Sequence, residues 1–284
     1  MAPVDLAHDD AGDGPVVVLI HGHPFDRAMW APQLAALRGR FRVIAPDLPG
    51  FGFTEIPERR AYKYSFDALA RTLLAFTEAL HLKRYALYVF DYGAPTGFRL
   101  AMAHPERVTA IISQNGNAYE EGLGESWNPI RKYWTNPSHQ NREALRAALT
   151  PDGIRREYSV GMPNPSVISP EGPALDGALL GRPGHVDIQL DLFLDYANNV
   201  KLYPAFQEYF RKSQPPLLAI WGKRDTYFIP AGAEAFRRDD GNAAVQFVDT
   251  GHFALETHVD EIAAAVREFL GQHVAKPLAS AHGA

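Results

Sequence analysis

Tyr85-Ala-Leu-Tyr-Val-Phe-Asp-Tyr-Gly-Ala-Pro-Thr-Gly97 decides how the rest of the 284-residue chain is read. Residues 85–90 are apolar or aromatic throughout, with no polar alternation. That is the pattern of a strand buried on both faces of a parallel sheet. From Gly93 to Ala103 small and apolar residues recur at helical spacing until Pro105 ends the pattern. Asp91 stands at the junction, with Gly93 two residues on. An open parallel sheet places reactive groups there, at the carboxyl end of a strand against the start of a helix. A tight turn at that point pushes its central side chain into the cleft and leaves the following backbone N–H groups free for an oxyanion. Taken alone, Asp91 has two readings of equal standing: a reactive carboxylate, or an N-cap for the helix that follows.

Working outward, the same alternation repeats. Residues 16–20 and 42–45 read as strands, and 30–37 and 65–80 as helices, the second amphipathic with Ser65 as its cap. Residues 108–114 form the strand after the central helix. Strand, helix, strand, helix at this spacing predicts an α/β fold built on a doubly wound, mostly parallel sheet. Only a short segment precedes residue 16, and one strand is expected there, over about residues 4–8.

After Gln114 the alternation stops. Residues 117–214 hold no clear buried strand but several helical stretches, at 141–149, 153–159, 186–198 and 200–212, with a Pro- and Gly-rich path over 161–184. So long an excursion is too large for a loop and is expected to be an inserted helical cap. The sheet resumes at 216–222, followed by a helix at 231–238, a strand at 244–248 and a closing amphipathic helix at 259–270. The expected organisation is therefore a core from residues 1–116 and 215–284, with a cap from 117–214.

Composition narrows the function classes. The net charge of −5 argues against a nucleic-acid or anionic-membrane surface. The absence of Cys removes disulfides, thiolate catalysis and Cys-ligated metals. The acidic start lacks a signal-peptide pattern, and no window is apolar enough to span a bilayer, so a cytoplasmic protein is expected. The small-residue tail 279–284 is expected to be mobile.

Two further carboxylate and imidazole positions follow strands: Asp225 after residues 216–222 and His252 after residues 244–248. With Asp91 they lie on the edge of the sheet where strand ends converge. Two loops complete the set, His21-Gly22-His23-Pro24 after the first buried strand and Asp47-Leu-Pro-Gly-Phe-Gly-Phe-Thr54 after the next. Taken together these residues resemble the α/β-hydrolase superfamily, in the branch of epoxide hydrolases and haloalkane dehalogenases that carry Asp as nucleophile. The chain departs from the superfamily's G-x-S-x-G elbow by Asp at the centre and Val89 two residues before it. The resemblance implies Asp91 as nucleophile, Asp225 as acid and His252 as base, the order that superfamily uses. It also implies an oxyanion hole from the backbone N–H groups of His23 and Tyr92, with the His23 ring as an additional donor. His21 and Asp47 are expected to brace their loops. Asn115 stands where some relatives carry an alternative acid; being neutral, it leaves that role to Asp225.

Asp at the elbow sets the reaction class. A carboxylate is ionised at neutral pH without help. It is poorly suited to attack on a carbonyl, because the anhydride formed is easily expelled. It is suited to backside attack on an sp³ carbon bearing a leaving group, which leaves an alkyl ester of Asp91. His252 would then activate water against that ester. No metal or organic cofactor is required, and the expected partners are a small apolar organic substrate and water. The fold is compatible with a homodimer, but no stretch of sequence marks an interface.

The leaving group separates the alternatives. Relatives of the epoxide type place two cap tyrosines on the epoxide oxygen. Tyr133 lies 42 residues after Asp91 and Tyr196 lies 29 before Asp225, which matches, and Trp134 is a further pocket candidate. Haloalkane dehalogenases of similar sequence carry Trp directly after the nucleophile, where this chain has Tyr92. Haloacid relatives carry basic side chains near the elbow, where Tyr92 and Pro95 stand. Epoxide hydrolysis is therefore the favoured expectation and dehalogenation the alternative. An esterase or lactonase would want Ser or Cys at 91, and a non-catalytic binding protein on this fold would not need the Asp/His/Asp set. A lyase or isomerase using His252 as base stays open.

Overall fold

A computed structural model describes residues 4–56 and 62–274; the 279–284 tail lies outside them. Among the described residues the sheet has seven strands: β1 (His8–Ala11), β2 (Val16–Ile20), β3 (Arg42–Pro46), β4 (Tyr85–Phe90), β5 (Val108–Gln114), β6 (Leu217–Gly222) and β7 (Ala243–Val248). Their order across the sheet is β1-β3-β2-β4-β5-β6-β7, parallel throughout except for β1, which runs antiparallel to β3. β4 lies at the centre with all six residues buried, as its unbroken apolar run requires. Flanking helices are α1 (Ala31–Leu37), α2 (Phe66–Ala79), α3 (Gly93–Ala103), α9 (Pro230–Asp239) and α10 (Val259–His273), with α1 packed on α10 and α2 on α3. Ser65 caps α2 by accepting from the Ala68 N–H at 3.2 Å.

The first strand differs from expectation. Residues 4–7 are not a strand; β1 is His8–Ala11, an acidic segment with mostly exposed side chains. It is an edge strand held by its backbone ladder to β3 and by the Asp10–Arg42 ion pair at 2.6 Å, neither of which leaves a hydrophobic trace.

Between β5 and β6 lie α4 (Asn128–Thr135), α5 (His139–Leu145), α6 (Pro151–Ser159), α7 (Glu171–Leu180) and α8 (His185–Ser213). The two helices expected over 186–198 and 200–212 are one 29-residue helix, continuous through Asn199 and Pro204. Asn199 is buried there and accepts from Arg99 Nη1 at 2.7 Å, so tertiary pairing holds a residue that by itself disfavours a helix interior. Arg99 is thereby tied away from the sheet edge. Two helices were not anticipated. α4 begins with Asn128 and Pro129, where Pro is tolerated because first-turn N–H groups have no helical partner. α7 contains two Gly and a Pro within what reads as a loop path. It is fixed by burial of Pro173, Asp176 and Leu180 and by the Tyr158–Asp176 hydrogen bond to α6 at 2.5 Å.

The β4–α3 turn is sterically closed. A Cβ on Gly93 would stand 2.0 Å from the Ile20 carbonyl oxygen, so the helix starts against β2 with no room for a side chain. Val89 fits in place of the usual small residue because its methyl group faces Gly97, whose added Cβ would meet it at 2.7 Å. Gly93→Ala is expected to destabilise the protein by about 1–3 kcal/mol. A lowered urea midpoint with an unchanged m-value is the measurement that checks it.

Candidate active site

Asp91 directly follows β4, and Asp225 and His252 lie just beyond β6 and β7. Because these strands are parallel, their ends share one edge, and the three side chains meet there. His252 Nδ1 is 2.7 Å from Asp225 Oδ2, and its Nε2 is 3.7 Å from Asp91 Oδ2. All three side chains are buried.

The Asp91 backbone sits at φ +47°, a left-handed conformation rare outside Gly, which turns its side chain off the strand. The capping alternative does not hold: the N-cap of α3 is Tyr92, and Asp91 makes no capping contact there. Asp91 Oδ1 instead accepts from the His23 N–H at 2.7 Å, and the nearby Tyr92 N–H favours the charged carboxylate. One carboxylate oxygen is thus held by the His23 N–H while the other faces the imidazole. The His23–Pro24 peptide is cis. His21 Nε2 accepts from the Leu48 N–H at 2.9 Å, and Asp47 accepts from the Arg27 and Phe53 N–H groups, both at 2.7 Å, so both residues brace their loops as expected.

Asp225 is saturated with donors. Oδ1 accepts from the Tyr227 and Phe228 N–H groups at 2.8 and 3.0 Å, and Oδ2 from His252 and from Asn115 Nδ2 at 2.7 Å. Asn115 therefore positions the Asp225 carboxylate. Its neutrality in the sequence concealed that role, which depends on β5 lying next to β6.

The electrostatics separate the groups. Burial raises the Asp91 carboxyl to about 6, against the opposing pull of His252 and the two N–H groups. Burial pulls His252 down, but the charge and hydrogen bond of Asp225, with Asp91 and Glu157 nearby, outweigh it and hold the imidazole above its ordinary 6.5. Burial lowers His23 to about 4, so its ring is neutral. With its Nδ1–H donating to Gln189 Oε1 at 3.0 Å, Nε2 carries a lone pair, and the ring is not the extra donor expected of it.

A cavity of about 270 Å³ opens on this cluster, lined among others by His23, Asp91, Trp127, Glu157, Tyr227 and His252. Its remaining walls are largely apolar, including Ile130, Leu145 and Phe193, with Tyr92 and Ser126 adding hydroxyl groups. The three cap residues chosen from spacing are not among its lining. Tyr196 is fully buried among Tyr92, Trp127 and Phe228, its hydroxyl paired with that of Tyr203 at 3.2 Å. The Tyr133 hydroxyl accepts from Arg142 Nη1 at 3.2 Å. Trp134 Nε1 donates to the Phe193 carbonyl at 2.6 Å, and its ring stacks on Tyr196. Tyr133 and Trp134 lie on α4 and Tyr196 on α8, with their side chains in the packing behind the cavity wall.

Two residues that sequence reasoning missed face the cavity instead. Trp127 carries a buried indole N–H with no partner among the described residues. Glu157, from α6, is only 11% exposed, and burial pushes its carboxyl up to about 8. Among the described residues no group of three or more His, Cys, Asp or Glu is placed to hold a metal ion, and no helix is long and apolar enough to cross a membrane.

Comparison with known proteins bears on the family and the fold. A sequence model described as alpha/beta hydrolase fold matches residues 15–259. An uncharacterized hydrolase of Saccharomyces cerevisiae is 48% identical over 89% of this chain and 88% of its own length. Haloalkane dehalogenase 2 of Mycobacterium bovis is 28% identical over 92% and 90% of the two chains. The solved structure of the epoxide hydrolase CorEH superposes with a TM-score of 0.77 over 94% of this chain and 99% of that one, at 18% identity.

Proposed function

The chain belongs to the alpha/beta hydrolase fold family, and from that premise we propose that it hydrolyses small apolar epoxides through an alkyl ester of Asp91, with residues 117–214 acting as a cap over the cleft. One observation carries the reading: Asp91 Oδ1 is anchored by the His23 N–H while Oδ2 faces the cavity and the His252 imidazole. Oδ2 attacks a substrate carbon from the side opposite its C–O bond, and that bond breaks as the ester forms. Oδ1 is then the carbonyl oxygen of the ester, already seated on the His23 N–H, with the Tyr92 N–H as the second donor proposed for the oxyanion. His252 Nε2, held in one tautomer by Asp225, takes a proton from water, and the hydroxide adds to the Asp91 carbonyl carbon. The oxyanion develops on Oδ1, where backbone donors are in place. Collapse expels the diol, which takes its proton from the imidazolium. The cavity's size and apolar walls suit a small organic substrate.

A halide leaving group is the second reading, favoured by the unpartnered Trp127 N–H at the cavity. A single-turnover experiment with enzyme in excess over styrene oxide in ¹⁸O-water tests the nucleophile. The first diol formed should carry no solvent oxygen, and the label should appear in the peptide containing Asp91. Label in the first-turnover diol would mean direct attack by water and would end the proposal. Turnover of haloalkanes with no turnover of epoxides would favour the second reading.

A further inference from the structure

With Tyr133 and Tyr196 packed behind the cavity wall, the epoxide oxygen lacks the two donors expected there, and a ring opening that leaves a bare alkoxide in so buried a site is slow without a proton donor. We infer that Glu157 is that acid: its carboxylic proton is delivered to the epoxide oxygen as Asp91 attacks the adjoining carbon. The inference rests on the Asp91 ester proposed above and names the substrate's second point of recognition.

Three observations carry it. Glu157 projects from α6 into the same cavity as Asp91 and His252. His23 Nε2 lies 3.7 Å from Oε2, beyond hydrogen-bond distance, and that nitrogen has no hydrogen-bond partner among the described residues. A carboxyl group nearly buried, facing an apolar-walled space and lacking a cation at contact distance, is stable as the neutral acid. The charged and titratable groups around it are His252, Asp91, Asp176 and Arg156, with His23, Tyr92 and Tyr227 also facing it. Burial, Asp91 and Asp176 raise its proton affinity; His252 and Arg156 lower it, and the first set wins.

Asp91 at about 6 and Glu157 at about 8 leave a window around neutral pH in which the nucleophile is ionised and the acid protonated. In the step itself the Asp91 Oδ2 lone pair forms the new C–O bond. The epoxide C–O bond breaks, its electron pair stays on oxygen, and that oxygen takes the Glu157 proton. The products are a β-hydroxyalkyl ester and the Glu157 carboxylate. Hydrolysis of the ester returns one proton to solvent as Asp91 reionises, and Glu157 is recharged from solvent, so the cycle balances as epoxide plus water to diol. A halide would leave as a stable anion and would not need this proton.

The test isolates the alkylation step. In the His252→Gln protein, formation of the styrene oxide adduct on Asp91 is followed by intact mass from about pH 5 to about pH 10. The rate should rise as Asp91 ionises and fall on the alkaline side as Glu157 loses its proton. In His252→Gln/Glu157→Gln the neutral-pH rate should drop by about 100-fold, and the alkaline fall should vanish. A drop smaller than about tenfold, or an unchanged pH profile, overturns the role of Glu157. An alkaline limb absent from the His252→Gln protein overturns it as well, without reliance on how the double variant folds. Equal adduct on Asp91 in both proteins would remove Glu157 while leaving the nucleophile standing; no adduct in either would remove both.

Discussion

Asp91→Asn is expected to lower turnover of an accepted epoxide by about 10⁴-fold or more while raising thermal stability. The amide keeps an oxygen where Asp91 Oδ1 accepts from the His23 N–H, so the loop need not move. It replaces Oδ2, the atom facing His252 and the cavity, by an NH₂ group with no nucleophilic lone pair. The stability gain follows from the sign of the titration. Burial raises the Asp91 carboxyl from 3.8 to about 6, so folding becomes less favourable as pH rises between those values, and the full penalty applies above about 6. A neutral amide escapes it, and a gain on the order of 1–3 kcal/mol at neutral pH is expected. Activity loss with a raised melting temperature would identify Asp91 as a group held against its own stability for function. Residual activity above about one-hundredth of wild type would show that another atom bonds to the substrate.

His252→Gln should divide the reaction at its midpoint. Attack by Asp91 does not use the imidazole as base, so alkylation should proceed. Hydrolysis of the ester needs a base beside the water, and its loss should slow that step by about 10²–10⁴-fold. Incubation with styrene oxide should therefore add one substrate mass to the protein, located by peptide mapping to the segment holding Asp91. Unmodified protein, from a substrate the wild type turns over, would refute the two-step scheme. The wild-type pH profile carries the same signature. The imidazole acts as base only when neutral, and Asp225 holds its titration above 6.5, so the hydrolytic step should fail progressively as pH drops through that region. In His252→Gln this acid limb should disappear from what remains of the hydrolytic step.

The meeting of Asp91, Asp225 and His252 at the sheet edge was legible because each is marked locally. A buried strand has an apolar run, its carboxyl end has a following Gly or turn, and parallel strands bring those ends to one edge whatever the rest of the chain does. β4, β5 and β6 were bounded to within a residue for that reason. The His23 N–H that meets Asp91 was reached through family resemblance. The edge strand β1 was displaced because its side chains are solvated and leave no period to read.

The cavity wall was a different matter. Glu157 lay in an expected helical stretch with nothing to single it out, while Tyr133 and Tyr196 matched an expected spacing with Trp134 beside the first. Tertiary structure leaves Arg155 and Arg156 exposed, turns Glu157 inward and packs the aromatics behind the wall. The sequence by itself determined the sheet, the placing of Asp91, Asp225 and His252 at its edge and the chemistry available to a carboxylate at the elbow. Only the packing of α4, α6 and α8 decided which side chains line the cavity. Those helices lack a fixed hydrogen-bonded register to the sheet, and a rotation of one residue position, about 100°, exchanges inward for outward faces.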